Sequence, residues 1–314
     1  MADIGYQFVT VGNAGNANDA STGNTYGGVG YNYAIGKYDV TLNQYAVFLN
    51  AVAQTDPLSL YDSNMGTDAN IKGILQTGVS GSFSYSVIGS GLRPVTEVSW
   101  FDAARFCNWM TNGQPTGLGE VAGSTETGAY TLNGALSGIF NYNGTGLYRL
   151  PTENEWYKAA YYDPGLNGGA GGYWSYATRS NTAPGNVVGA AVNQANYKTT
   201  VYSVTQTGSV SGVNALTDVG AFTNSASAYG TYDENGDVYQ WNDAVILSSL
   251  KGARGGPWSL GSGLMQSSFQ GRSAPEVGLN DIGFRVATIA TVPEPSSAVS
   301  LIVAGGLLLA RRRR

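Results

Sequence analysis

Two side chains that carry much of enzyme chemistry are almost missing from this sequence. The 314-residue chain has no histidine and one cysteine, Cys107. Without imidazole there is no Ser-His-Asp or Cys-His pair, and no zinc, non-haem iron or copper site built on histidine. A lone cysteine also excludes an intrachain disulfide, which a domain of this size does not need. Oxygen chemistry remains. Asp233-Glu-Asn-Gly-Asp237 crowds carboxylates and amides onto one turn. Such a turn suits a hard cation, or it stands as an ordinary solvated turn capped by its own side chains. Four of the sixteen basic residues are Arg311 to Arg314, so the body sets 12 basic against 21 acidic residues. That balance favours hard cations over polyanions and argues against a nucleic-acid partner.

These groups need elements to hold them. Three helices carry their own start signals. Thr41-Leu-Asn-Gln44 is a capping box opening a helix over Gln44–Val52, with Tyr45, Phe48, Leu49 and Val52 on one face. Ser99-Trp-Phe-Asp102 opens a second over Asp102–Met110, where Ala103, Phe106, Cys107 and Met110 form the inward stripe. On that stripe Cys107 reads as a buried, inert thiol. Thr152-Glu-Asn-Glu155 opens a third over Glu155–Tyr161. Short strands are expected at Tyr6–Val11, Gly36–Val40, Tyr85–Ile88, Gly252–Trp258 and Gly283–Ala287, separated by Gly- and Asn-rich loops. Residues 111–147 and 162–218 are long and irregular, and loops of that length in a compact domain need pinning, bound metal being one candidate pin. With no internal repeat and no charged linker, residues 1–290 read as one α+β, loop-rich domain.

The two ends differ. The first residues have neither a basic nor an apolar region and do not form a secretory signal. Near the other end come Val292-Pro-Glu-Pro295, an apolar stretch over Ala298–Ala310, and four arginines. At about 1.5 Å per residue the stretch reaches roughly 20 Å, short of a roughly 30 Å hydrocarbon core, unless it extends back toward Pro295 and its arginines snorkel. Residues 291–314 resemble the PEP-CTERM sorting segment of bacterial exported proteins. The resemblance implies membrane contact through a short helix over residues 296–310, recognition by an exosortase-type sorting protease, and a place in the cell envelope or outside the cell.

Six blocks of the body resemble one known family. Tyr38-Asp-Val-Thr-Leu-Asn-Gln-Tyr45 matches its opening Y-E-V-T-N-x-Q-Y, and Pro94-Val-Thr-Glu-Val-Ser-Trp-Phe-Asp102 matches P-V-x-x-V-S-W-x-D. Tyr148-Arg-Leu-Pro-Thr-Glu-Asn-Glu-Trp156 matches Y-R-L-P-T-E-A-E-W. Tyr229 to Trp241 matches Y-G-L-Y-D-M-x-G-N-V-W-E-W. Arg254-Gly-Gly-Pro-Trp258 and Gly283-Phe-Arg-Val286 match R-G-G-S-W and G-F-R-V. In this order they resemble the formylglycine-generating enzyme, or sulfatase-modifying factor, family. The resemblance implies an irregular α+β fold related to C-type lectins.

It also implies what this chain lacks. Formylglycine-forming members bind copper through two cysteines shortly after the G-G-S turn, and those places fall here on Leu260 and Met265. One thioether without thiolate or imidazole is a poor copper site, so Met265 reads as packing. A histidine-dependent iron branch of the family is excluded outright, and no copper, iron or zinc is expected. The family's structural calcium site would use Asp233, Gly236, Val238 and Gln240, with Gln240 in place of a glutamate. A second would use Asn196, Tyr197, Ser211 and Val213, where an aspartate is lost. Arg149 and Glu155 read as an ion pair fixing the core. Trp258, Arg272 and Arg285 are candidates for a ligand groove, or else structural residues. Trp100, Tyr173, Trp174 and Trp258 supply aromatic surface for sugars, or core. The expectation is an exported, non-catalytic domain that binds a carbohydrate or protein ligand and holds structural calcium. The alternative is an oxidoreductase of the family with altered active-site chemistry.

Overall fold

The computed structural model describes residues 4–289. The expected sorting segment therefore lies outside the described residues, and among the described residues no helix is long and apolar enough to cross a membrane. All three capping boxes form with both reciprocal bonds. Thr41 caps α1 (Leu42–Val52). A single turn, α2 (Asn64–Thr67), precedes α3 (Trp100–Thr111), which Ser99 caps, and Thr152 caps α4 (Glu153–Tyr161). Each helix begins two residues before its first expected residue, because the cap residue already ends the extended segment.

Twelve short strands accompany them: β1 (Phe8–Val11), β2 (Tyr33–Gly36), β3 (Ile74–Thr77), β4 (Ser84–Val87), β5 (Tyr148–Arg149), β6 (Tyr162–Asp163), β7 (Gly172–Tyr173), β8 (Tyr239–Ile246), β9 (Leu250–Arg254), β10 (Gly271–Ser273), β11 (Ile282–Phe284) and β12 (Ala287–Thr288). One sheet has the order β1-β2-β12-β5 and another β10-β9-β8-β11, with β3-β4 and β6-β7 as separate pairs. Three expected strands move. The segment predicted at Gly36–Val40 pairs earlier, as β2, after which the chain turns into the Thr41 cap. The strand from Gly252 stops at Arg254, because Gly255 and Gly256 take φ of 108° and 75°. The single strand at Gly283–Ala287 splits: β11 runs parallel to β8, while β12 joins β2 and β5 in the other sheet. Arg285 sits in the crossing between sheets.

The main core packs α1 on α3 through Tyr45, Phe48, Phe106 and Trp109, with Phe284 of β11 against Phe106 at 5.3 Å between ring centres. Helix α3 departs from the amphipathic expectation. Every residue from Trp100 to Met110 is buried, Arg105 and Asn108 included. Its outer face is covered by the loop after it, and polar side chains on that face hold the loop. Asn108 donates to the carbonyls of Thr125 and Tyr130 at 2.7 and 2.9 Å, and Asn112 to those of Ser124 and Thr127. Arg105 pairs with Glu126 at 2.7 Å. In the second long loop Asn186 donates to the carbonyls of Tyr197 and Val201. Asparagine side chains thus pin both loops, for which bound metal was one candidate pin, by giving buried carbonyls the donors they require, and the Arg105–Glu126 pair adds an ionic pin.

Candidate functional site

The turn at residues 229–241 leads into β8 and sits where the two large sheets meet. One glycine makes its close approach feasible. Gly236 has φ 82°, and a Cβ there would lie 2.3 Å from the Asn196 carbonyl oxygen. Asp233 and Asp237 also take left-handed φ, near 60°. The turn therefore folds tightly and faces its acids inward.

Arg285 is at the centre of this inward face and is fully buried. Its guanidinium donates to Gln240 Oε1 at 2.6 Å, to Asp39 Oδ1 at 3.1 Å, and to the carbonyls of Gly36 and Tyr232 at 3.0 and 2.8 Å. Glu234 lies 3.9 Å from it. Asp39 and Glu234 thus pair with one buried cation whose charge Asp233 also feels, and Asp237 lies close by on the same turn. Burial pushes Asp233 up to about 6 and Glu234 and Asp237 up to about 7, and raises Asp39 well above its usual range despite Arg285. Asp237 is held by Asn196 at 2.8 Å and by the Thr217 hydroxyl at 2.9 Å. Asp233 accepts from the Gly220 N–H at 2.6 Å.

Gln240 is the first expected ligand to set against a calcium ion. Its Oε1 accepts from both Arg285 and Trp156 Nε1, the latter at 2.7 Å, and its amide donates to the Asp233 carbonyl at 2.7 Å. An oxygen with two N–H donors has no lone pair left for a metal. Asp233, Gly236, Val238 and Gln240 therefore come together in one turn but do not fit a calcium ligand set as folded. The second expected set does not fit either. Asn196 turns its NH2 toward Asp237 and the Ala215 carbonyl, Tyr197 is buried with its hydroxyl on the Pro184 carbonyl, and Ser211 and Val213 are exposed in the following loop. Among the described residues no three His, Cys, Asp or Glu side chains converge on one metal position.

The two positions corresponding to the family's cysteines part company. Leu260 is 46 % exposed, whereas Met265 is buried against Tyr176, Ala195 and Tyr197. Met265 packs, as expected of a thioether in an irregular gap. Cys107 is fully buried, and burial raises its thiol well above the usual range. Arg149 and Glu155 form the expected bidentate pair, with Nη1 to Oε2 at 2.6 Å.

Two of the three groove candidates are corrected. Trp258 is buried against Tyr202 and donates to the Asn280 carbonyl, and Arg285 is walled in by the acids just described. Trp100 is likewise core. Arg272 alone reaches an opening. It is exposed on β10 and lines a cavity of about 390 Å³ with Tyr239, Phe269, Ser273 and Asp281. Tyr239 and Phe269 stand 6.4 Å apart as one wall. Burial raises the Asp281 carboxyl. Neither Arg272 nor the Asp281 carboxylate pairs with another side chain among the described residues. Asp281 was missed from the sequence because it lies in a Gly-Leu-Asn-Asp loop with no pattern of its own.

The model of the sulfatase-modifying factor enzyme 1-like domain matches residues 11–290. Among solved structures, "Crystal Structure of CarF" is similar at 20% identity and a TM-score of 0.53, covering 91% of this chain and 99% of that one. "Treponema denticola variable protein 1" is similar at 18% identity and the same TM-score, covering 92% and 98%. Comparison with curated proteins finds no match.

Proposed function

We propose that this chain, which belongs to the sulfatase-modifying-factor family, works as a non-catalytic binding domain rather than as a cysteine oxidase. One observation carries the reading. The positions of the family's copper-binding thiols hold an exposed leucine, Leu260, and a buried, packed methionine, Met265. The chain's only thiol is sealed inside α3, and it has no imidazole to recruit instead. What the fold offers is a surface. The cavity beside Arg272 combines an aromatic wall with an unpaired guanidinium and carboxylate, the mixture by which pockets orient sugars or peptide side chains. A carbohydrate or protein ligand there is consistent with a relationship to C-type lectins, since a fold outlives the chemistry of any one site.

The action is outside the cell. The support is the sequence of residues 291–314, which resembles a PEP-CTERM sorting segment and would be read by an exosortase-type protease. The reading is tested with purified protein, copper(I) and a C-x-P-x-R peptide, followed by mass spectrometry for the loss of mass that marks conversion of cysteine to formylglycine. No conversion is expected. Turnover would overturn the non-catalytic reading, and cell fractionation with and without residues 291–314 tests the export reading separately.

A further inference from the structure

The Arg272 cavity holds its two charges apart. Arg272 is on β10, at one edge of the sheet ordered β10-β9-β8-β11, and Asp281 stands directly before β11 at the other. Three strand spacings of about 4.8 Å put their backbones roughly 14 Å apart. Both line the same cavity of about 390 Å³, and no ion pair joins them to each other or to another side chain among the described residues. Resting on the reading of this cavity as the domain's binding surface, we propose that it takes a uronic-acid residue of a glycan, with the sugar carboxylate on Arg272 and ring hydroxyls on Asp281.

The space between the charges suits a sugar ring. Gly271 and Ala253 are partners across β10 and β9. A Cβ at Gly271 would lie 2.9 Å from the Ala253 carbonyl oxygen and 3.2 Å from the Tyr239 ring. Glycine thus lets the strand lie against that ring, which with Phe269, 6.4 Å away and tilted by 30°, forms one aromatic wall. The partly negative face of such a ring attracts the C–H face of a pyranose. Tyr239 also brings a donor. Its backbone N–H donates to the Asp281 carbonyl at 2.8 Å, which sets the two residues side by side. Its hydroxyl has no hydrogen-bond partner among the described residues. Burial, followed by the charge of Asp281, pushes the phenol up to about 12, so it remains a donor at neutral pH.

These groups select among sugars. An ionised Asp281 can only accept, and neighbouring hydroxyls of a pyranose can both donate to it. At the other end a neutral sugar would meet the guanidinium with hydroxyls alone, whereas a carboxylate matches its planar fork with two parallel bonds. The number of charges sets a limit as well. Arg272 is the only basic residue lining the cavity, and the chain carries a net charge of −5. One carboxylate is matched there, and a run of them would be repelled. The ligand is therefore a glycan with an isolated uronic-acid residue and not a polyuronate.

The test is titration of the whole chain, followed by NMR, with glucuronosyl-xylose and galacturonosyl-rhamnose, each of which bears one carboxylate. The methyl ester of each disaccharide is the uncharged control, and gluconate is the control without a ring. At least one acid is expected to bind about tenfold more tightly than its ester, the effect of one charged hydrogen-bonded contact. Arg272→Gln, at an exposed side chain, should bring the acid down to the affinity of its ester. Asp281→Asn should weaken acid and ester alike, by about threefold. Equal affinity of acids and esters overturns the uronic-acid assignment and leaves the cavity a binding surface for sugars. Selectivity that survives Arg272→Gln overturns the assignment too, as does gluconate binding as tightly as the disaccharides. Absence of binding by every acid and ester removes both the assignment and the carbohydrate reading of the cavity, while the non-catalytic reading still stands or falls by the peptide-conversion assay.

Discussion

Replacing Arg285 with methionine tests whether the buried ion cluster, rather than a metal, holds the two sheets together. The substitution keeps most of the side-chain length and removes every donor. It leaves Asp39 without its cation, leaves the Gly36 and Tyr232 carbonyls without a guanidinium donor, and takes one of two donors from Gln240. Removing one partner of a buried pair costs about 3–5 kcal/mol, and each stranded carbonyl adds about 1 kcal/mol or more. One effect offsets these. Asp39 is already held well above its usual range by burial, so it takes up a proton instead of remaining as a bare charge. The expected loss is about 4 kcal/mol, which for a domain of this size lowers Tm by roughly 10 °C. Arg285→Lys, which retains charge but only three donors, should lose about half as much. Differential scanning calorimetry at pH 7 measures both. A methionine variant melting within about 2 °C of the parent would refute the view that this cluster carries the junction.

Four further outcomes follow from the same structure. Melting with and without EDTA should give one Tm, because both lone pairs of the Gln240 oxygen face N–H donors; a fall of several degrees with chelator would restore calcium to the turn. Asp233, Glu234 and Asp237 have folded values raised to about 6, 7 and 7. The folded state therefore holds more protons than the unfolded chain between about pH 4 and 7, and stability should fall as pH rises through that window. Glu120, next to Asp56, is raised to about 8 by burial first and by that neighbour; Glu120→Gln should flatten the remaining slope up to pH 8 in urea titrations, and an unchanged slope would count against the shared charge. Cys107, fully buried, should react with a thiol reagent only after unfolding, read as absorbance against time in native buffer and in guanidinium.

Local signals were the most readable part of the sequence. Each capping box is a contact between residues three apart, and all three boxes form, each helix starting directly after its cap and two residues before its expected start. Cys107 and the Arg149–Glu155 pair were equally legible, one from a helical stripe and one from a short spacing. What stayed hidden is long-range. The strand expected at Gly283–Ala287 divides between two sheets because Arg285 must meet Asp39, which is 246 residues away. Arg285 and Trp258 looked like groove residues from their family blocks, yet burial depends on what packs over them. The loop pins were missed for a related reason. An asparagine in a loop looks like a turn former, and only the folded chain shows Asn108 and Asn112 turned onto carbonyls 12 to 22 residues away.

At Gln240 an amide stands where the family resemblance implies a glutamate. A glutamate at this position could only accept, and it would add a further carboxylate beside Asp39, Asp233 and Glu234 around a single arginine. That charge would call for a cation. The amide instead accepts from Arg285 and Trp156 on one side and donates to the Asp233 carbonyl on the other. It closes the turn through bonds the protein itself supplies. The same economy of means is visible at Met265, where a thioether fills space against Tyr176 and Tyr197 in a place the family gives to a thiolate. At both positions a group suited to binding a metal is replaced by one that satisfies its neighbours directly. As folded, both positions are satisfied by protein partners, whereas Arg272 and Asp281, in the cavity they line, have no side-chain partner among the described residues.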